Sequence, residues 1–447
     1  MLYVERLQRS EAPVGRRAAG HAVYQHVLAV AAVRHGQPEQ PEQPEQPGQP
    51  EHRAWEADQM WSTDQTGPEP AGALSGVRVL DLSRVLAGPY ATMMLGDMGA
   101  DVLKVESPAG DDTRAWGPPY FQGQSTYFLS VNRNKRTLVA DLREPADRER
   151  VQELAASADI VVENFRPGVA ERLGVGYDDL RQANPGLVYC SITAFGDAPQ
   201  ARALPGYDLL VQAVGGLMSV TGDPDGEPTK AGVAVVDVLA GLHAVSGMLA
   251  ALRHRDRTGV GQRLDVSLLG TLLASLVNQS SAYLCTGTVP QRTGNAHPSL
   301  APYATFRAKD GELVLAVGND RQFAALCAVL GDPALADDPR FVHNPDRVAH
   351  RDQLGARLED LLSGHAVEAV VAQLLAAGVP AGPVNDLHAA FDYARRLGLD
   401  PAVQIPARAG SADPVPVSVP VTASPLRLSE TPVSYRLTPP RLPTSSP

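Results

Sequence analysis

Apolar and polar positions alternate along the middle of the chain in a pattern typical of strands separated by helices. VRVLDLS (77–83) and VLKVE (102–106) are short apolar runs, and GPYATMMLGDMGAD (88–101) between them predicts a helix. Because two strands joined by a helix usually pair in parallel, this unit predicts a parallel sheet. Further strands are predicted at 136–142, 159–165, 187–196 and 263–269. The alternation predicts an α/β fold with a doubly wound, Rossmann-like large domain.

Composition divides the chain into regions. The N-terminal part contains the repeat PEQPEQPEQ and lacks apolar periodicity, which predicts disorder. Near residue 300 the predicted order of elements changes. Residues 301–318 predict a hairpin with KDG at its turn, and helical patterns follow. The expected regions are a disordered extension (1–73), a large domain (74–272), a linker helix and loop (273–299), a smaller α+β domain (300–395) and a C-terminal segment returning to the large domain (396–447).

Charge and cysteine content limit the class of protein. The 447-residue chain carries a formal net charge of −11, which argues against a broad nucleic-acid surface. No apolar run is expected to be long enough to span a bilayer, so no membrane partner is predicted. Cys190, Cys285 and Cys327 are widely spaced, which predicts reduced thiols in a reducing compartment. We therefore expect a cytoplasmic enzyme without nucleic-acid partners.

One carboxylate, Asp237, lies inside the otherwise apolar run VAVVDVLAGLHAVSGMLA (233–250). An ionised carboxylate without partners is costly to bury, so Asp237 either caps a helix over 238–255 or serves in chemistry. Asp208, which follows a Pro-Gly turn, is also an ordinary choice for a helix N-cap. The residues alone favour capping for both. The two roles are compatible, because a helix N-terminus holds a carboxylate ionised, as a nucleophile requires.

Three other stretches carry candidate chemistry. LSRVLAGPY (82–90) closes a strand and opens a helix, where backbone amides attract anions; an ordinary βα turn is the alternative. Arg166 and Arg172 follow a strand end and suit a polyphosphate, although a solvated charge run stays open. His297 could act as a general base, but it has no Ser or Cys partner at recognisable spacing and no second His for a metal. The glycine fingerprints of nucleotide cofactor sites are missing, so no nucleotide cofactor is predicted. Because no second His lies at ligand spacing, no metal is predicted either.

Six stretches carry a resemblance to a known family: GVRVLDLSRVLAGPYATMMLGDMGADVLKVE, GDDTRAWGPPY, YFLSVNRNKRTL, VVENFRPGVAERLG, NPGLVYCSITAFG and GYDLLVQAVGGLMSVTG. With the run around Asp237, they resemble in order the family III CoA-transferases, the group of formyl-CoA transferase and carnitine CoA-transferase. Alpha-methylacyl-CoA racemase belongs to the same superfamily. The resemblance covers roughly 76–385. GDDTRAWGPPY and STYFLSVNRNK are most similar to the succinate–hydroxymethylglutarate CoA-transferase subgroup, which handles dicarboxylic acids.

The resemblance implies roles for particular residues. Asp237 falls on the nucleophile, with Asp208 and Tyr207 beside the reacting centre. The positions that would contact CoA are Leu86, Ala87, Ala140, Asp141, Leu142, Arg143, Asn164, Phe165, Arg166, Arg172, Pro205 and Gly206. Gly294, Asn295, Ala296 and His297 fall in a loop that would close over the substrate. Ser107 stands where relatives often carry a basic residue that meets the nucleotide end of CoA.

The implied reaction moves CoA from an acyl-CoA, such as succinyl-CoA, to a free and preferably dicarboxylic acid. It passes through an aspartyl anhydride and an aspartyl thioester, so coenzyme A is a co-substrate and no metal is required. The family fold implies an interlocked homodimer. Two alternatives stay open, an acyl-CoA racemase or epimerase and a CoA-binding homologue impaired by a short C-terminus. Tyr207 stands where the racemases resemble a histidine, and tyrosine is a poor base at neutral pH, which favours the transferase.

Overall fold

The computed structural model describes residues 60–61, 72–406 and 418–442. Most of the extension predicted at 1–73 lies outside the described residues. Trp61, which falls within that extension, is only 5% exposed, and its indole Nε1 donates a hydrogen bond to Ser157 Oγ at 3.0 Å. The prediction of disorder is therefore wrong at Trp61, because its indole fills a place in the hydrophobic core.

A six-stranded parallel sheet organises the fold, as the apolar runs predicted. Its strands are β1 (Arg78–Asp81), β2 (Asp101–Glu106), β5 (Lys135–Val139), β6 (Ile160–Glu163), β7 (Val188–Thr193) and β8 (Arg263–Ser267). They lie in the order β5-β2-β1-β6-β7-β8. The chain starts at the centre, builds to one edge and then returns to build to the other. This is the doubly wound order, in which ligands bind outside the carboxyl ends of the strands.

Helices cover both faces of this sheet, which separates two hydrophobic cores. Side chains alternate along β6, so Ile160 and Val162 enter one core and Val161 enters the other. The helices are α1 (Ala87–Asp97), α2 (Thr126–Val131), α3 (Pro145–Ala156), α4 (Val169–Arg172), α5 (Tyr177–Leu180), α6 (Asp208–Val214), α7 (Leu217–Val220), α8 (Val235–Thr258), α9 (Leu268–Ser275) and α10 (Val277–Thr286). Helices α1 and α8 pack in the first core and α3 in the second.

Helix α8 corrects one expectation from the sequence. Its 24 residues are long and apolar enough to cross a bilayer by length and composition, whereas no such run was expected. Its apolar side chains instead pack in the core against the sheet and α1, among them Val236, Ala240 and Met248. A helix that is apolar on most sides is typical of a protein core as well as of a membrane span.

A second group of elements follows α10. The predicted hairpin forms between β9 (Tyr303–Arg307) and β10 (Glu312–Ala316), and β11 (Ala381–Pro383) extends it into a three-stranded sheet. The helices of this part are α11 (Asp320–Val329), α12 (Asn344–Ala349), α13 (Arg351–Leu362), α14 (Val367–Ala376) and α15 (Leu387–Arg396). Its core is built from residues between 306 and 379. Short pairs also form between β3 (Tyr120–Phe121) and β4 (Gln124–Ser125) and between β12 (Ala402–Ile405) and β13 (Val419–Thr422). Two short 3-10 helices cover Asp112–Ala115 and Pro333–Asp337.

Two local features depart from the sequence pattern. The strand predicted at 263–269 ends at Ser267, whose hydroxyl accepts a hydrogen bond from the Gly270 amide at 3.2 Å and caps α9. The single helix expected at 271–285 is two helices, α9 and α10, which are separated at Leu276, and Val277 at the start of α10 has a φ of +42°. Apolar composition alone did not reveal this break.

Candidate active site

The Asp237 side chain lies in the first turn of α8, near the carboxyl end of the sheet. Helix α8 begins at Val235, and its N-cap residue is Ala234, which offers no side-chain cap. The prediction that Asp237 itself caps a helix over 238–255 is therefore wrong. Asp208 is likewise the first residue of α6, whose N-cap is Tyr207. Asp208 does not cap its own helix either.

Asp208 instead caps the helix that carries Asp237. Its Oδ1 accepts hydrogen bonds from the backbone amides of Val236 at 2.8 Å and Asp237 at 3.1 Å. Its Oδ2 accepts from Gln212 Nε2, and Gln212 Oε1 accepts from the Ala231 amide at 2.8 Å. Asp208 is only 7% exposed. The capping interpretation was correct in kind but assigned the wrong helix, because the partners are distant in sequence.

This arrangement sets the protonation of Asp237. Burial, and secondarily the nearby Asp208 carboxylate, raise the pKa of Asp237 from 3.8 to about 7. The expectation that the helix N-terminus holds Asp237 ionised is therefore corrected, because at neutral pH its protonated and ionised forms are comparably populated. Burial, Asp237 and Asp208 also raise the pKa of Tyr127 to about 12, so its hydroxyl keeps its proton.

A cleft of about 190 Å³ lies on one side of Asp237, at the ends of the strands. Nine of the residues predicted for the site line it together: Leu86, Ala87, Asn164, Phe165, Arg166, Pro205, Gly206, Tyr207 and Asp237. The sequence analysis missed Arg84, Val85 and Asp112, which also line it. Arg84 and Arg166 supply positive charge there.

Two loops form the floor of this cleft and are tied together. The Arg84 amide donates to Asn164 Oδ1 at 2.8 Å, and Asn164 Nδ2 donates to the Arg84 carbonyl at 2.7 Å. The Arg84 guanidinium also lies 3.3 Å from the Asp112 carboxylate at the exposed rim. These contacts fix the loop after β1 to the loop after β6 at the topological switch point of the sheet.

A buried ion pair holds the loop after β1 in place beside the cleft. Lys104 and Asp111 pair at 2.9 Å with no exposed side-chain surface. The Lys104 ammonium donates to the Ser83 carbonyl at 2.7 Å, and Asp111 Oδ2 accepts from the Val85 amide at 3.3 Å. Val85 has a φ of +69°, which is rare for a β-branched residue. The ion pair therefore holds a strained turn in place beside the cleft.

A second cavity, of about 550 Å³, lies on the other side of Asp237. Trp116 and Tyr127 form one wall, with their rings in an edge contact at 5.2 Å between centroids. Asp208, Tyr207, Lys230 and Asp237 also line it. Sequence reasoning did not assign this cavity, although Trp116 and Tyr127 belong to the two segments most similar to the dicarboxylate-handling subgroup. Asp237 thus lines both cavities, together with Val85 and Tyr207.

Several predicted site residues lie elsewhere. Residues 140–143 and Arg172 line neither cavity. Arg143 pairs with Asp141 at 2.6 Å, Ala140 is buried, and Arg172 Nη1 donates to the Gly168 carbonyl at 2.9 Å.

The predicted substrate loop, residues 294–297, is also absent from the lining of these two cavities. The Gly294 amide donates to the Gly222 carbonyl at 3.0 Å, and the His297 amide donates to the Tyr303 carbonyl at 2.9 Å. His297 Nδ1 accepts from the Ser299 amide at 3.1 Å. The hypothesis of His297 as a general base stays a prediction. Within the described ranges, no group of three or more His, Cys, Asp or Glu could hold a metal ion.

Comparison with known proteins identifies relatives along most of the chain. The family model described as CoA-transferase family III matches residues 74–444. The chain is 43% identical over 391 residues to a succinate–glutarate CoA-transferase of Agrobacterium fabrum, covering 85% of this chain and 95% of the relative. It is 45% identical over 329 residues to a succinyl-CoA:glutarate CoA-transferase of Mus musculus, covering 72% of this chain and 74% of that one.

Solved structures agree with this result. A CAIB/BAIF family protein from Brucella suis is 41% identical and superposes with a TM-score of 0.74, covering 84% of this chain and 97% of that chain. A protein from Mycobacterium tuberculosis is 31% identical with a TM-score of 0.73, covering 83% and 97%. At these identities the likeness extends beyond the fold to the family.

Proposed function

The chain belongs to CoA-transferase family III and is an acyl-CoA:carboxylate CoA-transferase, and on that premise we propose that it transfers CoA from succinyl-CoA or a similar acyl-CoA to a free dicarboxylic acid. The observation that carries this proposal is the position of Asp237 between two cavities. One cavity offers Arg84 and Arg166 at strand ends, which suit the phosphates of CoA. The other has aromatic walls and suits an acyl group. Relatives named for succinate, glutarate and mesaconate support a dicarboxylic substrate.

The proposed reaction uses Asp237 as the nucleophile. Its ionised carboxylate attacks the thioester carbonyl and expels CoA thiolate, which leaves a mixed anhydride. The thiolate then attacks the aspartyl carbonyl, releases the donor acid and forms an enzyme thioester. The acceptor carboxylate attacks that thioester and expels the thiolate again, leaving a second anhydride. The thiolate finally attacks the acyl carbonyl, which releases the new acyl-CoA and restores Asp237.

Other residues of the site prepare this nucleophile. Partial burial limits the access of water to a carboxylate whose anhydride would otherwise hydrolyse. The pKa of about 7 leaves a working fraction of Asp237 ionised while making that fraction a stronger nucleophile than an ordinary aspartate. Asp208 holds the first turn of α8 through its two backbone contacts, so it acts as a positioning residue.

A trapping experiment tests the assignment of Asp237. Hydroxylamine or borohydride added during turnover is expected to label one side chain, which peptide mapping should locate at Asp237. The variant Asp237→Ala is expected to abolish transfer while CoA binding persists, and Asp225→Ala, in the exposed loop before α8, serves as the matched control. A label at another residue, or turnover by Asp237→Ala, would contradict the proposal.

The racemase alternative predicts a different outcome. Inversion at the α-carbon requires two proton-transferring groups, and Tyr207 rather than histidine lines both cavities. We therefore expect no exchange of the α-proton when a 2-methylacyl-CoA is incubated in D₂O without a second acid. Exchange at a rate comparable to CoA transfer would favour the racemase.

We also propose a homodimer, as the family resemblance implied. None of the residues of α10 and α15 is buried, and Leu284 and Leu387 are each 79% exposed. Two helices with unburied leucines suit contact with a second copy of the chain. Light scattering is expected to give twice the chain mass of 47.3 kDa. A monomeric mass at micromolar concentration would refute the dimer.

A further inference from the structure

The lining of the second cavity carries more negative than positive side chains. Asp208 and Asp237 are its two carboxylates, and of the described residues that line it only Lys230 is a cation. The Lys230 ammonium donates to the Ala231 carbonyl at 3.2 Å and forms no ion pair within the described part of the chain. It is exposed on the cavity side of the loop before α8.

This distribution bears on which acids can enter. The carboxylate of any acid that approaches Asp237 meets the negative charge of Asp208 and, in its ionised form, of Asp237 itself. A dicarboxylic acid brings a second negative charge, which costs further free energy unless a cation compensates it. Lys230 is the lining residue that can supply this compensation, because an ammonium on a flexible four-carbon stem can reach a carboxylate within the cavity.

The fold holds Lys230 in a defined relation to Asp237. The residue after Lys230, Ala231, donates its amide to Gln212 Oε1 at 2.8 Å. Gln212 in turn donates to Asp208, and Asp208 accepts from the Asp237 amide at 3.1 Å. One relay of two side chains therefore fixes both ends of the segment 231–237.

We propose that Lys230 binds the carboxylate that does not react and thereby selects dicarboxylic substrates over monocarboxylic ones. This inference rests on the proposed CoA-transferase function and assigns the residue that sets its substrate class. The reacting carboxylate lies at Asp237, the far carboxylate lies at Lys230, and the aromatic wall of Trp116 and Tyr127 faces the methylenes between them. The same contact holds the free carboxylate of the donor acyl group.

Acceptor specificity tests the proposal in the full-length protein. The acceptors are glutarate and pentanoate, five-carbon acids that differ by one carboxylate, used with the same acyl-CoA donor at one concentration. Because the donor step is common to both, its changes cancel in the ratio of the two kcat/KM values. In Lys230→Gln this ratio is expected to fall about 10-fold, since loss of a charged hydrogen bond has roughly that effect. The affinity for free CoA should stay within about 2-fold.

Lys309→Gln is the matched control, because Lys309 is exposed at the turn of the β9–β10 hairpin and lines neither cavity. Its acceptor ratio should equal that of the wild type. An unchanged ratio in Lys230→Gln would overturn the role of Lys230 in acceptor choice while leaving CoA transfer established. A wild-type protein that transfers CoA to neither these acids nor any other carboxylate would overturn the proposed function, and this inference with it.

Discussion

The Asp208 carboxylate accepts a hydrogen bond from the backbone amide of Asp237 at 3.1 Å, although the two residues lie 29 positions apart. It accepts another from Val236, so a side chain of α6 caps α8. The cap brings a negative charge beside the Asp237 carboxylate, and this charge adds to the effect of burial in raising the pKa of Asp237 to about 7. Asp208 therefore both positions the nucleophile and influences its protonation.

The pH dependence of the first chemical step should follow Asp237. Its ionised form attacks the thioester, so kcat/KM for the acyl-CoA donor is expected to rise about tenfold per pH unit below pH 7 and to level off above it. Initial rates of CoA transfer at limiting acyl-CoA between pH 5 and 9 measure this profile. A flat profile down to pH 5 would contradict the raised pKa.

Asp208→Asn should move that profile. The substitution removes a negative charge while Oδ1 can still accept from the two α8 amides, so the pKa of Asp237 should shift from about 7 towards its ordinary 3.8. The rising limb of kcat/KM is then expected at lower pH than in the wild type. The substitution also replaces Oδ2, which accepts from Gln212 Nε2, with an amide group that can only donate. Loss of this hydrogen bond is expected to lower the free energy of unfolding by about 1 kcal/mol. An unmoved limb would exclude Asp208 as a cause of the shift.

Asp237 should also make stability depend on pH. Folding raises its pKa from 3.8 to about 7, so its proton favours the folded state; this stabilisation is complete below about pH 4 and is lost as the pH rises through 7. Asp237→Asn lacks this titration. From pH 4 to pH 8 the wild type is therefore expected to lose a few kcal/mol more of its free energy of unfolding than Asp237→Asn does. Urea unfolding at the two values measures the difference, which should be absent in the exposed control Asp225→Asn.

A glycine sets the distance between α1 and α8. A Cβ built on Gly241 would lie 2.9 Å from the Ala87 carbonyl oxygen, and Ala87 lines the cleft beside Asp237. Gly241→Ala is therefore expected to separate the helices, to lower the free energy of unfolding by about 1–3 kcal/mol and to weaken CoA binding. Unfolding and CoA titration measure both effects.

Gly355→Ala is the matched control for Gly241. Gly355 lies inside α13 with nothing within 4 Å of the added carbon. Alanine is the better helix former, so this variant should be neutral or more stable by up to about 1 kcal/mol with unchanged CoA affinity. Equal behaviour of the two variants would show that the approach of α8 to Ala87 has no effect on the cleft.

The buried Lys104–Asp111 pair should matter for the cleft as well as for stability. Lys104→Met leaves Asp111 buried without its cation and releases the Ser83 carbonyl, which is expected to cost about 3–5 kcal/mol in the free energy of unfolding. Because Asp111 also holds the Val85 amide, CoA affinity should fall in any fraction that stays folded. Lys309→Met, on the exposed hairpin turn, should leave both quantities unchanged.

Particular residues show how far the sequence could predict this site. Leu86, Asn164 and Gly206 were assigned through family segments and do line one cleft with Asp237. Lys230 stood in no quoted motif, and Trp116 gave only a subgroup resemblance without a role. Their place in the second cavity depends on how loops from three parts of the chain meet, which no local pattern records.

The sequence by itself determined the parallel sheet and the family, because strand alternation and motif residues are local properties of the chain. Tertiary structure alone decided that Asp208 caps the helix of Asp237, that burial raises the pKa of Asp237 to about 7, and that Lys230 shares a cavity with both. The physical reason is that hydrogen bonding, desolvation and charge proximity depend on distances between residues that only the folded chain brings together.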